Sequence, residues 1–355
     1  MKRLVILGGG YGGVRIAERI LSPDLPDHVT VTLVDRMPFH GLKTEYFALA
    51  AGTEPEVAVR TPFPEDPRLN VKHGEIERID MDAQLIHFAS GDTLEYDWLV
   101  IALGCEDRYH GIPGAEEFTH SIQTLEASRR TYVAINNVKP YGQITVVGGG
   151  LSGVELASEL RESRPDLHIR ILDRGESILS PFPKKLQTYA SQWFLEHDVE
   201  LISGANVQRV EPGVVYNCEQ ELASDAIVWT AGIQASRVVR ELPVEHDASG
   251  RVLLNAQHQI PNYPNVYVVG DCASLPFAPS AQLAEGQGEQ IALVLMSQIK
   301  GLALPTSLPQ IKLKGTLGSL GKKEGFGMMG KLSLVGQMPR VMKSGVLWLY
   351  KKHLG

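Results

Sequence analysis

Leu4-Val5-Ile6-Leu7-Gly8-Gly9-Gly10-Tyr11-Gly12-Gly13 is an apolar strand running directly into a glycine-rich turn. A helical stretch follows, then a second strand, Val29 to Val34, that ends in Asp35. About 140 residues later the plan returns: Ile144-Thr145-Val146-Val147, then Gly148-Gly149-Gly150-Leu151-Ser152-Gly153, a helix, and Ile169-Arg170-Ile171-Leu172 ending in Asp173. A single G-x-G-x-x-G is weak, because glycine turns are common. Strand, loop, helix, strand and terminal acid in that order, twice, make a dinucleotide-binding fingerprint. Two nucleotide pockets in one chain imply electrons moving between two cofactors.

Each glycine has a physical task. Gly8 and Gly148 permit a tight turn off the strand, Gly10 and Gly150 let a pyrophosphate approach bare backbone, and Gly13 and Gly153 let the helix pack close on the sheet. The phosphates then face the unpaired N–H groups of the helix N-terminus. Asp35 and Asp173 stand where an acid accepts hydrogen bonds from a ribose diol, with Arg36 and Arg174 directly after them. At the second site Asp173 predicts a preference for NADH over NADPH, which Arg174 softens.

The rest of the chain bounds the reading. With 355 residues, 43% hydrophobic content and no low-complexity tract, this is an ordinary globular chain long enough for two domains and an appendage. No apolar run approaches the ~18 residues that span a bilayer. Met1-Lys2-Arg3 precedes only four apolar residues before the glycines, which makes a first strand rather than a signal peptide and predicts a cytoplasmic protein. Cys105, Cys218 and Cys272 are far apart and odd in number, as expected of free thiols. The histidines show no ligand spacing, so no metal is expected, and no nucleic-acid partner either.

Further segments carry a resemblance. Trp98-Leu99-Val100-Ile101-Ala102-Leu103-Gly104, Ile112-Pro113-Gly114, Ile227-Val228-Trp229-Thr230-Ala231-Gly232 and Asn265-Val266-Tyr267-Val268-Val269-Gly270-Asp271 follow the loops in order. Together they resemble the flavoproteins with two dinucleotide-binding domains, and within them the type II NADH dehydrogenases, over essentially the whole chain. Pro279 to Gly288 is similar to the Ala-Gln-x-Ala-x-Gln helix start that faces flavin and quinone in that family. Lys314 to Gly321 is similar to the segment opening its C-terminal membrane-binding part.

The resemblance implies an α/β fold of two Rossmann-like three-layer domains, an NAD domain at 111–261 inserted in an FAD domain at 1–110 and 262–310, with a basic C-terminal segment at 311–355. It implies noncovalent FAD and NADH, with Ala102, Gly104, Gly232, Gly270, Asp271, Ala281 and Gln282 at the cofactors. Glu155 matches an acid near the nicotinamide pocket, although it can also be read as a glutamate favoured by the helix dipole. Gln282 is expected at the flavin pyrimidine edge or the acceptor pocket, and His40 and Thr44 flank the flavin. Two positions depart from the family. Lys43 stands where a threonine commonly lies beside the isoalloxazine, and Gly286 stands where a second glutamine is usual. Phe39 to Gly52 contains no cysteine, so no dithiol relay is available and the flavin delivers its electrons directly.

From Gly301 onward there are nine Lys or Arg and one acid, Glu324, so this tail carries +8 while residues 1–300 carry −15. Drawn as a helix, its end sets Met338, Val341, Met342, Val346, Trp348, Leu349 and Tyr350 on one side and Arg340, Lys343 and Lys351 opposite, although Pro339 and Gly345 weaken it. A basic amphipathic helix of this kind suits an anionic membrane surface, or alternatively the protein body or a second copy in a homodimer. The sequence reading is thus a non-proton-pumping NADH dehydrogenase, peripheral on the inner face of the cell membrane, passing electrons from NADH through FAD to a quinone. Two other readings stand beside it: a soluble NAD(P)H-dependent flavin reductase with a protein or small-molecule acceptor, and an NADH-sensing flavoprotein with little turnover.

Overall fold

In the computed structural model, which describes residues 1–354, the strand Lys2–Leu7 lies inside a six-stranded sheet. Val29–Asp35 and then Leu69–His73 lie on one side of it, and Trp98–Ile101, Tyr263–Val268 and Gln259–Ile260 on the other. All pairs are parallel except the last hairpin. Leu4, Val5, Ile6 and Leu7 are all buried, which explains why the strand reads as a continuous apolar run rather than an alternating one. The helix Tyr11–Ile20 covers one face and packs on the long helix Ala281–Ile299. This contact is close: Gly288 sits against the Gly12 carbonyl, and Arg15 pairs with Glu18 and Glu285.

The second sheet repeats the first. Gln143–Val147 lies between His168–Asp173 and Ala226–Trp229, with Val199–Ser203 outermost, all parallel. The repeat reaches well beyond the glycine loops. Each half inserts an antiparallel three-stranded meander ahead of its returning strand, Ile76–Asp80, Leu85–Phe88 and Thr93–Glu95 in one, Val207–Glu211, Val214–Asn217 and Gln220–Ala223 in the other. After each returning strand comes a short strand, Cys105–Asp107 and Ile233–Ala235. These two equivalent strands pair with one another, Cys105 opposite Ala235 and Asp107 opposite Ile233.

The C-terminal part is an antiparallel sheet of Thr316–Leu320, Glu324–Met329 and Leu332–Gly336, followed by the helix Gln337–Leu354. Leu320 and Phe326 enter the core built around Ile144, Val146, Leu156 and Phe194, so this part is packed into the second half rather than appended to it. The helix is unbroken through Pro339 and Gly345. Pro339 lies in the first turn, where a missing N–H costs no helical hydrogen bond.

The two faces of this helix separate as the sequence suggests, but the basic face is the inner one. Lys343 Nζ lies 2.5 Å from Glu155 Oε1 and 3.5 Å from Glu45 Oε1, and all three side chains are nearly buried. Arg340 donates to the Gly321 carbonyl and Lys351 to that of Ala58. Tyr350, expected on the apolar side, turns inward to His40. Glu155, Glu159 and Glu162 form one stripe of the helix Leu151–Ser163 facing this segment, with Glu162 accepting from the Lys322 N–H. Part of the charge segregation in the sequence is therefore an internal match of acid stripe and basic tail.

Lys343→Ala would leave two buried carboxylates without their ammonium, and removing one partner of such a group costs about 3 kcal/mol. The expected outcome is a lower melting temperature and faster proteolysis within 337–354. Lys323→Ala, at an exposed position, should change stability by less than about 0.5 kcal/mol.

Candidate active site

The glycines of the two loops divide by what a side chain would meet. A Cβ on Gly8 would overlap the Ala102 carbonyl, and one on Gly13 the Gly8 carbonyl. On Gly148 it would overlap Thr230, and on Gly153 the Gly148 carbonyl. The protein itself requires these four. At Gly10 and Gly150, by contrast, nothing lies within 4 Å. These two leave open space ahead of a helix N-terminus that has no side-chain cap, so unpaired N–H groups face the gap. That is the cradle a pyrophosphate needs, and it occurs twice.

Asp35 and Asp173 brace these turns. Asp35 accepts from the Gly9 N–H at 2.6 Å and the Met37 N–H at 2.8 Å; Asp173 accepts from Gly149 and Gly175, each at 2.7 Å. Each carboxylate keeps lone pairs for a ribose diol. Arg36 points to solvent, 3.9 Å from Glu75.

The two sites converge at the ribbon of Cys105–Asp107 and Ile233–Ala235, which follows Gly104 (φ +64°) and Gly232 (φ +128°). There Lys43 Nζ lies 3.0 Å from Cys105 Sγ and 4.0 Å from Asp271 Oδ2, and Cys105 Sγ is 3.1 Å from Asp271 Oδ2. Burial works against the Lys43 ammonium, but Cys105 and Asp271 outweigh it and hold its pKa above the ordinary value. Burial also pushes the Cys105 thiol up to about 12 and the Asp107 carboxyl to about 6.

Other residues singled out from the sequence are placed less openly. Glu155 accepts from the Ser319 N–H and hydroxyl, at 2.9 and 3.0 Å, as well as from Lys343. It lies beyond the first helical turn, so these donors rather than the helix dipole stabilise it. Gln282 donates to the Gly315 carbonyl and accepts from the Lys314 N–H, clamping the entry to the C-terminal sheet. Ala281 opens that helix, whose cap is Ser280. The space beside Gly286 is filled by Ile311. Thr44 meets the Tyr11 hydroxyl at 3.0 Å. His40 is buried, which lowers its pKa; its Nδ1 donates to the Gly9 carbonyl and its Nε2 accepts from Tyr350.

Sequence reasoning missed the support of the Gly270–Asp271 turn. Gln287, fully buried, accepts from the Gly270 N–H at 2.8 Å and donates to the Val268 carbonyl. His258 lies between Gln287 and Gln290. The available signal was two glutamines three apart on the buried stripe of a helix whose neighbours there are Leu283, Ile291 and Leu295.

Two dinucleotide cradles meeting at one ribbon define a flavin- and nicotinamide-dependent oxidoreductase. The chain belongs to the pyridine nucleotide-disulphide oxidoreductase family, whose sequence profile matches residues 2–290. Its cofactors are FAD and NADH. A Bacillus subtilis protein named NADH dehydrogenase-like protein YutJ is 56% identical over the full length of both chains. A type II NADH:quinone oxidoreductase of Staphylococcus saprophyticus is 25% identical, covering 96% of this chain and 93% of its own. Among solved structures, NDH2 from Plasmodium falciparum in complex with NADH superposes with a TM-score of 0.84 at 15% identity, covering 100% of this chain and 95% of its own. The sulfide:quinone oxidoreductase of Aquifex aeolicus gives 0.82 at 20% identity, covering 98% and 90%.

Two substitutions test the cradles. Gly10 has extended backbone (φ −79°), so Gly10→Val should fold yet purify without FAD, whereas Gly13→Val should fail to fold. Absorbance of the purified proteins reads both outcomes. Asp173→Ala should narrow any preference for NADH over NADPH and weaken both, because it also releases the Gly149 N–H; flavin reduction rates at limiting nucleotide measure this.

Proposed function

We propose that this chain takes hydride from NADH onto FAD and passes two electrons to a quinone at the surface of an anionic membrane. In this reading the FAD domain is 1–110 with 262–310, the NAD domain 111–261, and 311–355 the membrane-facing part. Gly8, Gly10, Gly13, Asp35, Arg36, Thr44, Ala102, Gly104, Gly270, Asp271, Ala281 and Gln282 serve FAD. Gly148, Gly150, Gly153, Asp173 and Gly232 serve NADH. FAD supplies the chemistry that couples a hydride donor to a quinone. The protein contributes position and dryness: the ribbon sets the distance between the two sites, and Lys43, Glu155 and Gln282 fix the groups around them.

The observation that carries this reading is the outer face of the last helix. Met338, Val341, Val346, Trp348 and Leu349 all stand out in solvent, Val341 at 69% and Trp348 at 60% exposure. A contiguous apolar face of this kind marks an interaction surface. Lys312, Lys314, Lys322, Lys323, Lys331 and Lys352 remain exposed in the same part, each worth about 1 kcal/mol near an anionic surface. Among the described residues no helix is long and apolar enough to cross a membrane. The resemblance to type II NADH:quinone oxidoreductases supports the choice of acceptor.

Deleting the helix would uncover Glu155 and His40, so the test changes only its outer face. Trp348→Asp with Leu349→Asp should cut binding to anionic vesicles by about tenfold or more and slow reduction of a long-chain quinone. Electron transfer from NADH to a soluble dye should stay within about twofold. A parent protein that ignores anionic vesicles at low salt yet reduces soluble acceptors would make it a soluble reductase. Loss of a dimer in the variant would make the face a subunit contact, and an NADH-reducible flavin without steady-state turnover would make the chain a sensor.

A further inference from the structure

Lys43 brings a cation to the place where the two nucleotide sites meet. Its ammonium is held by the residue after Gly104, 3.0 Å from Cys105 Sγ and 3.5 Å from the Cys105 carbonyl, with Asp271 Oδ2 at 4.0 Å. Residues 43, 105 and 271, far apart in sequence, thus converge on one charge. FAD laid along this edge would have its adenosine ribose at Asp35 and its pyrophosphate in the gap before Gly10. Its far end would then lie toward Asp271 and the ribbon, the side where the second nucleotide site also opens. The redox-active ring is that far end. Reduction adds negative charge to the ring, so a neighbouring cation favours the reduced form over the oxidised one. Asp271 and Asp107 also face the ammonium and offset part of its field, but they stay in place whatever stands at position 43.

We propose that Lys43 sets the electron affinity of the bound flavin, making it a stronger acceptor of hydride than the same site with a threonine at position 43 would be. This rests on the FAD reading of the first site.

The experiment uses the flavin-loaded protein and its Lys43→Thr, Lys43→Gln and Lys43→Arg variants at about pH 8, well above the Asp107 titration near 6. The first measurement equilibrates flavin and a reference dye during slow anaerobic reduction. The second titrates oxidised flavin with sulfite, whose sulfur lone pair adds to N5, forming an S–N bond with no leaving group and leaving the added negative charge on the ring. In Lys43→Thr the flavin–dye equilibrium should move at least about tenfold toward oxidised flavin, or about 1.4 kcal/mol, and sulfite should bind at least about tenfold more weakly. Lys43→Arg should keep both within about threefold. Should Lys43→Thr lose its flavin, Lys43→Gln, which retains a donor for the Cys105 carbonyl, makes the same comparison. Neutral variants that hold FAD with both quantities unchanged overturn the proposal and leave the functional reading intact. A parent protein that purifies and reconstitutes without FAD overturns both.

Discussion

An antiparallel ribbon three residues long on each side joins the strand after Gly104 to the strand after Gly232. Each strand leaves a glycine with positive φ at the carboxyl end of a parallel sheet, the edge where such sheets bind ligands. Pairing them forces the two binding edges to face each other across a few ångströms of backbone. Hydride transfer needs the reacting atoms about 3–3.5 Å apart. The main-chain hydrogen bonds of the ribbon therefore do what a set of side-chain contacts between two independent domains would do less rigidly.

Much of this was legible in the sequence, and for a physical reason. A strand buried on both faces is an unbroken apolar run, a glycine that abuts a carbonyl tolerates no Cβ, and an acid that braces the glycine loop falls at the end of the second strand. Each of these is local, so each leaves a local trace. The meanders and the ribbon were harder. Cys105–Asp107 and Ile233–Ala235 are too short to show periodicity, and their pairing spans about 130 residues. The Gln287 support was hidden because a buried polar residue on a helix looks the same in sequence as a solvated one.

The last helix shows where a pattern was legible but its seating on the protein was not. Periodicity separated its apolar and basic sides, and sequence alone cannot say which side finds the protein. The orientation is settled by carboxylates 188 and 298 residues upstream. Glu155 and Glu45 are held away from solvent and need a cation, and Lys343 supplies it. An ammonium turned inward turns the apolar residues outward. Lys343 also joins both halves of the molecule, because Glu45 belongs to the first and Glu155 to the second.

Asp173 braces the glycine loop and, in the proposed reading, also recognises the nucleotide ribose, and Asp35 repeats the arrangement in the other half. A residue that only recognised the ribose could be exchanged freely as nucleotide use changed over evolution. Here any exchange that welcomed a second phosphate would first loosen the turn that receives the pyrophosphate. The route from one nicotinamide nucleotide to the other thus runs through a less ordered intermediate, unless some other group has already taken over the Gly149 N–H. Duplication has placed the same conservative constraint on both halves of the chain.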